Sequence, residues 1–296
     1  MSHTAAMSEE VALRPGRPLG PALSATAREL LAKVGRDEAG TEAEAIHDFR
    51  RAVKRWRAFL RLVEPFVGES ARTLRDEARD RARSLAGARD AQAALDALAD
   101  LGEDYAVLTP RTLSTVTKRI EDMRANAEQM TLTQEIRDKL QLMLSTTAAA
   151  VDQWPLDAVS FRDIAKGLTA GYRRARNAIP DDWTAATPEA LHEFRQRVVV
   201  HRYQMELVEH AWPRLGKLWV AELQRLRERL GKHQDLTVLT ALTQKGQLLA
   251  RWKKTLLPAI EARRRDHIDM AMRLTGRLFA ERPRDFQRRI EATWEP

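Results

Sequence analysis

The chain has 296 residues, enough for one large domain or two of about 150 residues each. Its 44% hydrophobic content excludes a disordered chain, and no run of about 18 apolar residues exists to span a membrane. Cysteine is absent, which excludes disulfides and thiolate metal sites and fits a reducing cytosol, and the formal charge of +8 is a mild basic excess.

Residues 1–18 carry acids early and no apolar core of signal-peptide length, so they read as an untargeted tail. Beyond them nearly everything reads as helix. Ala, Leu, Arg, Glu and Gln dominate, apolar residues recur at three and four, and no stretch alternates in the manner of a strand. A first helix is expected over Pro21 to Val34, stopped by Gly35. Thr41 opens the next, with Glu44 completing a capping-box pattern, and that helix ends near Gly68, after Pro65. Further helices are expected over Glu69 to Leu85, Asp90 to Ala99, Arg111 to Met130 and Thr133 to Gln153, with a break at Gly87. Trp154-Pro155 divides the chain into units 19–153 and 154–296, because a residue before proline tends to leave the helical region. The second unit restarts with a helix over Asp157 to Ala178. Thr187 as N-cap and Pro188 at the first helical position then open another. Helices over Pro213 to Leu230 and Asp235 to Thr243 follow, and long basic helices continue to the end, interrupted at Pro258 and Pro283.

One stretch occurs twice. Glu44 to Glu64, EAIHDFRRAVKRWRAFLRLVE, returns 145 residues later as Glu189 to Glu209, EALHEFRQRVVVHRYQMELVE, with ten of 21 positions identical. Asp90 and Asp235 keep the same offset. Two landmarks repeated without an insertion mean a duplicated unit, so each half is expected to be a set of four or more antiparallel helices resembling the other.

On a helix, Phe49, Val53, Trp56, Leu60 and Val63 form one apolar stripe. His47, Arg50, Lys54, Arg57 and Arg61 form a second, about 120° away and about 21 Å long. Glu44 to Arg61 holds six basic residues against two acids, so i, i+4 partners are sparse and the row is not neutralised locally. Such a row suits a linear polyanion, since repeated phosphates take repeated charge-assisted contacts and arginine offers a planar fork to them. Basic rows recur at Arg72, Arg75, Arg79 and Arg83, and at Arg162, Lys166, Arg173 and Arg176. Rows converging on one concave surface would focus a positive potential.

The pattern His47, Arg50, Lys54, Arg55 and Arg57 resembles the signature of CHAD domains, the conserved histidine α-helical domains. The elements SLAGARD and RLGKHQDL and the second His-x-x-Arg, at His192 and Arg195, are similar to that family too. The resemblance covers about Leu19 to the C-terminus. It implies an all-α fold of two pseudo-symmetric helical bundles with a basic cleft between them. It also implies non-catalytic binding of inorganic polyphosphate and association with polyphosphate granules; a cytoplasmic protein with no cofactor is expected. Carried onto this chain, the expected contacts are His47, Arg50, Lys54, Arg55, Arg57 and Arg61, with Arg72, Arg75, Arg79, Lys166, Arg173 and Arg176 beside them and His192, Arg195 and Arg202 opposite. The second copy departs from the pattern: Val199 and Val200 replace Lys54 and Arg55, and Glu206 replaces Arg61.

The histidines have two readings. Either His47 and His192 are satisfied structural residues, bonded to a carbonyl or to Asp90 and Asp235, or a ring nitrogen donates to phosphate. His201 takes the place of Trp56 on the apolar stripe and reads as packing, and no role is assigned to His3, His210, His233 or His267. Two rival functions deserve comparison. Glu44-x-x-His47 and Glu189-x-x-His192, with Glu77 and Glu222, satisfy the recipe of a di-metal carboxylate bundle. Against it, Glu44 and Glu189 lie in first turns, where acids favour the helix dipole, and Arg50 and Arg195 would oppose a dication. A nucleic-acid binder would want stacking platforms or a recognition motif. Aromatics are 6% of the chain and neither signal appears, so weak, salt-sensitive nucleic-acid binding is the most expected. No P-loop, nucleophile elbow or dinucleotide fingerprint is present, so no catalytic residue is assigned.

Overall fold

The structure, a computed structural model, describes residues 13–34, 42–84, 89–102, 108–127 and 145–294, with the backbone alone at 42–47, 80–84, 89 and 126–127. Among these residues every regular element is helical and no strand occurs. The α-helices are α1 (Leu19–Val34), α2 (Glu42–Val67), α3 (Glu69–Ser84), α4 (Arg89–Leu101), α5 (Pro110–Ala127), α6 (145–151), α7 (Phe161–Asn177), α8 (Pro188–Leu207), α9 (Pro213–Leu242), α10 (Lys253–Leu278) and α11 (Pro283–Ala292).

Local chemistry sets most of the boundaries. Gly68, at φ +72°, turns the chain sharply between α2 and α3, in a conformation that disfavours a β-carbon. The break between the halves is longer than expected: a single 3-10 turn at Leu156–Ala158 precedes α7. Ser160 is the true N-cap, exchanging hydrogen bonds with Asp163 in a capping box. Thr187 caps α8 as expected, its Oγ1 accepting from the Ala190 amide at 3.2 Å.

Two expected breaks are not breaks. α9 runs unbroken from Pro213 to Leu242, through Gly231. Its apolar residues Leu226, Leu230, Leu236 and Leu239 are buried on both sides of the glycine, and that packing outweighs the roughly 1 kcal/mol helix penalty of one glycine. Likewise α10 continues through Pro258, where burial of Leu256, Ala259 and Ile260 holds the turn that the proline weakens.

The core lies in two parts. The larger joins α1, α2, α3, α7, α8 and α11 to the N-terminal part of α9 and the C-terminal part of α10. Here the α2 stripe is buried as its spacing predicts, with Val53, Trp56, Leu60 and Val63 at 2% exposure or less. Ala58, Phe59 and Leu62 are buried as well, so α2 packs on more than one side. Trp56 stacks on both Phe59 and Trp154. The smaller core joins α4 and α5 to the remaining ends of α9 and α10. Both cores draw on both halves of the chain, and α9 and α10 run through the two.

A buried charge cluster reinforces the smaller core. Asp100 of α4, with 4% of its side chain exposed, accepts from Lys232 at 2.6 Å, from Arg263 at 3.0 and 3.2 Å, and meets His267 Nε2 at 2.6 Å. Burial alone would raise the Asp100 pKa, but the bonds from His267, Arg263 and Lys232 outweigh it and hold the carboxyl far below the usual carboxylate range.

Helix α7 approaches its neighbours closely because it presents glycine to them. A β-carbon on Gly167 would lie 2.7 Å from Leu62 Cδ1 of α2, and one on Gly171 would run into Gln204 Oε1 of α8. Gln204 in turn donates from Nε2 to the Ala58 carbonyl of α2 at 3.3 Å. Three helices thus meet where glycine makes room for the buried Leu62 and Gln204 side chains.

Candidate functional site

Above that junction the second stripe of α2 meets cations from three other helices. Arg61 feels four of these charges. Its pKa is pulled down to about 10, by burial first and then by the guanidinium groups of Arg75, Arg57, Arg197 and Arg174. These five side chains come from α2, α3, α7 and α8, and an arginine with such a pKa is still charged at neutral pH. Among the described residues no carboxylate pairs with Arg61. Carboxylates stand at the edge instead: Glu64 bonds Arg75 and, at 3.2 Å, Arg72, while Glu193 pairs with Arg197 at 3.0 Å.

The glycine face of α7 explains part of this convergence. Gly167, Gly171 and Arg174 follow one another at spacings of four and three, so they share a face. Close approach over Leu62 and Gln204 therefore carries Arg174 to α2. Arg174 and Arg197 were not among the residues expected from the sequence. Their counterparts 145 residues earlier are Glu29 and Ala52, so the repeat gave no signal for either. The Gly-x-x-x-Gly spacing on α7 was the one available clue to Arg174.

The remaining expected residues are distributed as follows. Arg50 and Arg57 are half-buried and Lys54 is exposed, continuing the α2 row away from Arg61. The His47 side chain lies outside the described residues, as does that of Arg83. Arg79 pairs with Asp76 at 3.3 Å on α3. On α7, Lys166 pairs with Asp163 at 3.0 Å, Arg173 is exposed, and Arg176 donates from Nε to the Phe279 carbonyl at 3.1 Å.

Arg55 and Arg202 sit in the interior. Arg55 Nη2 contacts Glu206 Oε1 at 2.8 Å and Arg202 Nη1 reaches the same oxygen at 3.9 Å. Both guanidinium groups lie over the Tyr203 ring. Glu206, which stands where the first copy has Arg61, thus turns into the α2–α8 interface and neutralises buried cations there. The neighbouring Glu209 has its pKa raised, by burial first and then by Glu206.

On α8, His192 and Arg195 converge on a residue that the spacing did not single out. Gln234 Oε1 lies 3.0 Å from His192 Nδ1 and 2.9 Å from Arg195 Nη1. Gln196 Nε2 lies 2.6 Å from His192 Nε2. Gln234 directly precedes Asp235, the second repeat landmark.

His201 is fully buried against Tyr172, Phe279 and Phe286. Its pKa falls to about 3, through burial and then Arg289. It is packing, as its place on the apolar stripe suggested. His233 and His267, left without a role by the repeat, belong to the buried charge cluster at the other end of α9: burial, Arg264 and His267 bring His233 down to about 4. What the surface around Arg61 offers chemically is several charge-assisted donors to oxyanions, held close together by packing.

The family model of the CHAD domain matches residues 22–244. Two solved structures are similar in fold. The CHAD domain from the plant Ricinus communis aligns with a TM-score of 0.58 at 20% identity, covering 98% of this chain and 98% of that one. PptA from Streptomyces chartreusis aligns with a TM-score of 0.61 at 17% identity, covering 93% of this chain and 100% of that one. No functionally curated protein matches the sequence.

Proposed function

The chain belongs to the CHAD domain family, and from that premise we propose that it binds inorganic polyphosphate, without catalysis, through the cation cluster around Arg61. The observation that carries this reading is the cluster itself. Packing brings Arg57, Arg61, Arg75, Arg174 and Arg197 together although they repel, and Arg61 has no carboxylate to offset it among the described residues. A polymer with a negative charge on every phosphate relieves that repulsion at several points at once. Arg50 and Lys54 extend the track along α2, His192 and Arg195 contribute from α8, and Arg72, Arg79, Lys166 and Arg173 supply a screened positive rim. Arg55 and Arg202 act from beneath, by holding α2 to α8 through Glu206.

Duplication is part of the same proposal. Shifted by 145 residues, α2 falls on α8 and the turn after it, α3 falls within the first part of α9, and α5 within α10. In this reading residues 19–153 and 154–296 are the two copies, and the basic cleft lies where their α2 and α8 rows face each other. Recruitment to polyphosphate granules would follow from binding of the polymer.

The di-metal alternative gains nothing from the second copy. His192 spends its ring nitrogens on Gln234 and Gln196, and Glu222 pairs with Arg225 at 2.6 Å. The test is equilibrium binding of labelled long-chain polyphosphate across a salt series. The logarithm of affinity should fall linearly with the logarithm of salt concentration. Arg50→Ala with Arg57→Ala should weaken binding without unfolding the helices, as read by circular dichroism. Normal binding by that double variant would make the α2 row a solvated face. Displacement of polyphosphate by DNA or RNA at equal phosphate concentration would transfer the specificity to nucleic acid.

A further inference from the structure

Three polar contacts on α8 and α9 determine how the second His-x-x-Arg element works. Arginine only donates, so the Arg195 Nη1 contact at 2.9 Å fixes which end of the Gln234 amide faces it: the oxygen. The same oxygen lies 3.0 Å from His192 Nδ1, and an amide oxygen only accepts, so Nδ1 carries a hydrogen. On the opposite side of the ring, the Gln196 side-chain amide lies 2.6 Å from Nε2, so both ring nitrogens are engaged and Nδ1 is the one turned to Gln234 as a donor. Space for the arginine is provided from the other helix. A β-carbon at Gly231 would stand 3.1 Å from Arg195 Nη2, closer than a relaxed contact, and 3.4 Å from Nε. Gly231 therefore leaves room for the guanidinium against the α9 backbone, at a helix-interior position where glycine is otherwise unfavourable.

We propose that His192 is a positioning residue: its Nδ1–H locks Gln234, Gln234 locks Arg195 over Gly231, and Arg195 alone of the pair contacts the anion. This rests on the polyphosphate reading for its ligand but not for its geometry. The histidine is then spaced three residues before the arginine because both must reach one amide oxygen on the facing helix, not because both must reach a phosphate.

Two measurements on the full chain test it. The first is long-range nitrogen–proton NMR of the free protein, with His192 assigned by comparison with His192→Asn. The expected result is a hydrogen on Nδ1 in wild type, changed in Gln234→Leu; a ring protonated on Nε2 alone would overturn the proposal whatever the protein binds. The second is affinity for long-chain polyphosphate from pH 5.5 to 8. His192→Ala and Gln234→Leu should each weaken binding about 3- to 10-fold, the loss expected for one hydrogen bond's worth of positioning. His192→Asn, whose amide N–H can take the place of Nδ1–H, should restore wild-type affinity with an unchanged pH profile. Gly231→Ala should raise the melting temperature, as alanine does in a helix, while weakening binding by displacing Arg195. If wild-type affinity rises on acidification and His192→Asn abolishes that rise, the ring is itself a phosphate donor and the positioning role is wrong. If no variant and no wild-type protein binds polyphosphate, the functional reading fails, and the NMR result still decides the geometry.

Discussion

Replacing Arg61 by methionine should make the protein more stable and a poorer binder at once. Methionine keeps an unbranched apolar stem of similar reach, so packing on α2 is largely retained while the charge is removed. The fall in the Arg61 pKa from the ordinary guanidinium value to about 10 means that its charged form is disfavoured in the fold. At about 1.4 kcal/mol per unit the shift would be worth about 3 kcal/mol. Arg61 is only half-buried and solvent screens its neighbours, which brings the expected gain down to about 1 kcal/mol. The sign is fixed at neutral pH, below both values, where the residue is charged in the folded and unfolded states and the folded state bears the whole penalty. In a protein of this size the gain corresponds to about 1–2 °C in Tm by differential scanning calorimetry at low salt, shrinking as salt is added. Polyphosphate affinity should fall, and its salt dependence should become shallower by about one released counterion. An Arg61→Met protein that melts at or below the wild-type temperature in low salt would refute the claim that the cluster is held together against its own repulsion.

Other outcomes follow from the interior. Burial depresses the His201 pKa to about 3 from 6.5, so its contribution is intact above pH 6.5 and is lost as pH falls below it. Wild type should lose about 2 kcal/mol from this group between pH 7 and pH 5, and His201→Phe should flatten the urea-melt profile by that amount. Gly171→Ala forces a β-carbon into the buried Gln204 amide and should cost about 1–3 kcal/mol in urea denaturation, with the larger loss if Gln204 gives up its bond to Ala58. Asp100→Asn leaves Lys232, Arg263 and His267 facing a neutral amide and should destabilise by about 3–5 kcal/mol at pH 7. Because the Asp100 pKa is held low in the fold, its contribution is full above about pH 4 and disappears in stronger acid, where the two proteins should converge.

The helical class, the α2 stripes, the turn at Gly68 and the Thr187 cap were legible because each depends on neighbours in the chain. Phe49 through Val63 announced a buried face by spacing alone, and Thr187-Pro188 announced a helix start by side-chain chemistry. The continuity of α9 through Gly231 was not legible, because it rests on buried leucines and on Arg195 of another helix. Basic side chains were harder still. The rows Arg50 to Arg61 and His192 to Arg202 were found by spacing, yet whether an arginine faces a ligand or a partner depends on what stands opposite. Glu206 is the clear case. As a substitution for Arg61 it looked like an acid placed in the track, whereas it lies beneath, pairing with Arg55 and Arg202. Arg174 and Arg197 reach Arg61 by tertiary packing, which a repeat that pairs them with Glu29 and Ala52 could not foretell.

The glycines of α7 have one more consequence. Where Gly167 meets Leu62 and Gly171 meets Gln204, the separation of three helices is set by glycine against two fully buried side chains that the surrounding packing holds in place. The bases of the guanidinium stems are therefore mounted on a stiff frame, with their freedom confined to the stems themselves. A flexible polyanion that lands there meets charges already assembled, so the ordering cost of binding falls mainly on the ligand. On the proposed function, such a frame would select by spacing: short phosphates would engage part of it, and a longer chain would gain each further contact at the small entropic cost of placing one more linked unit.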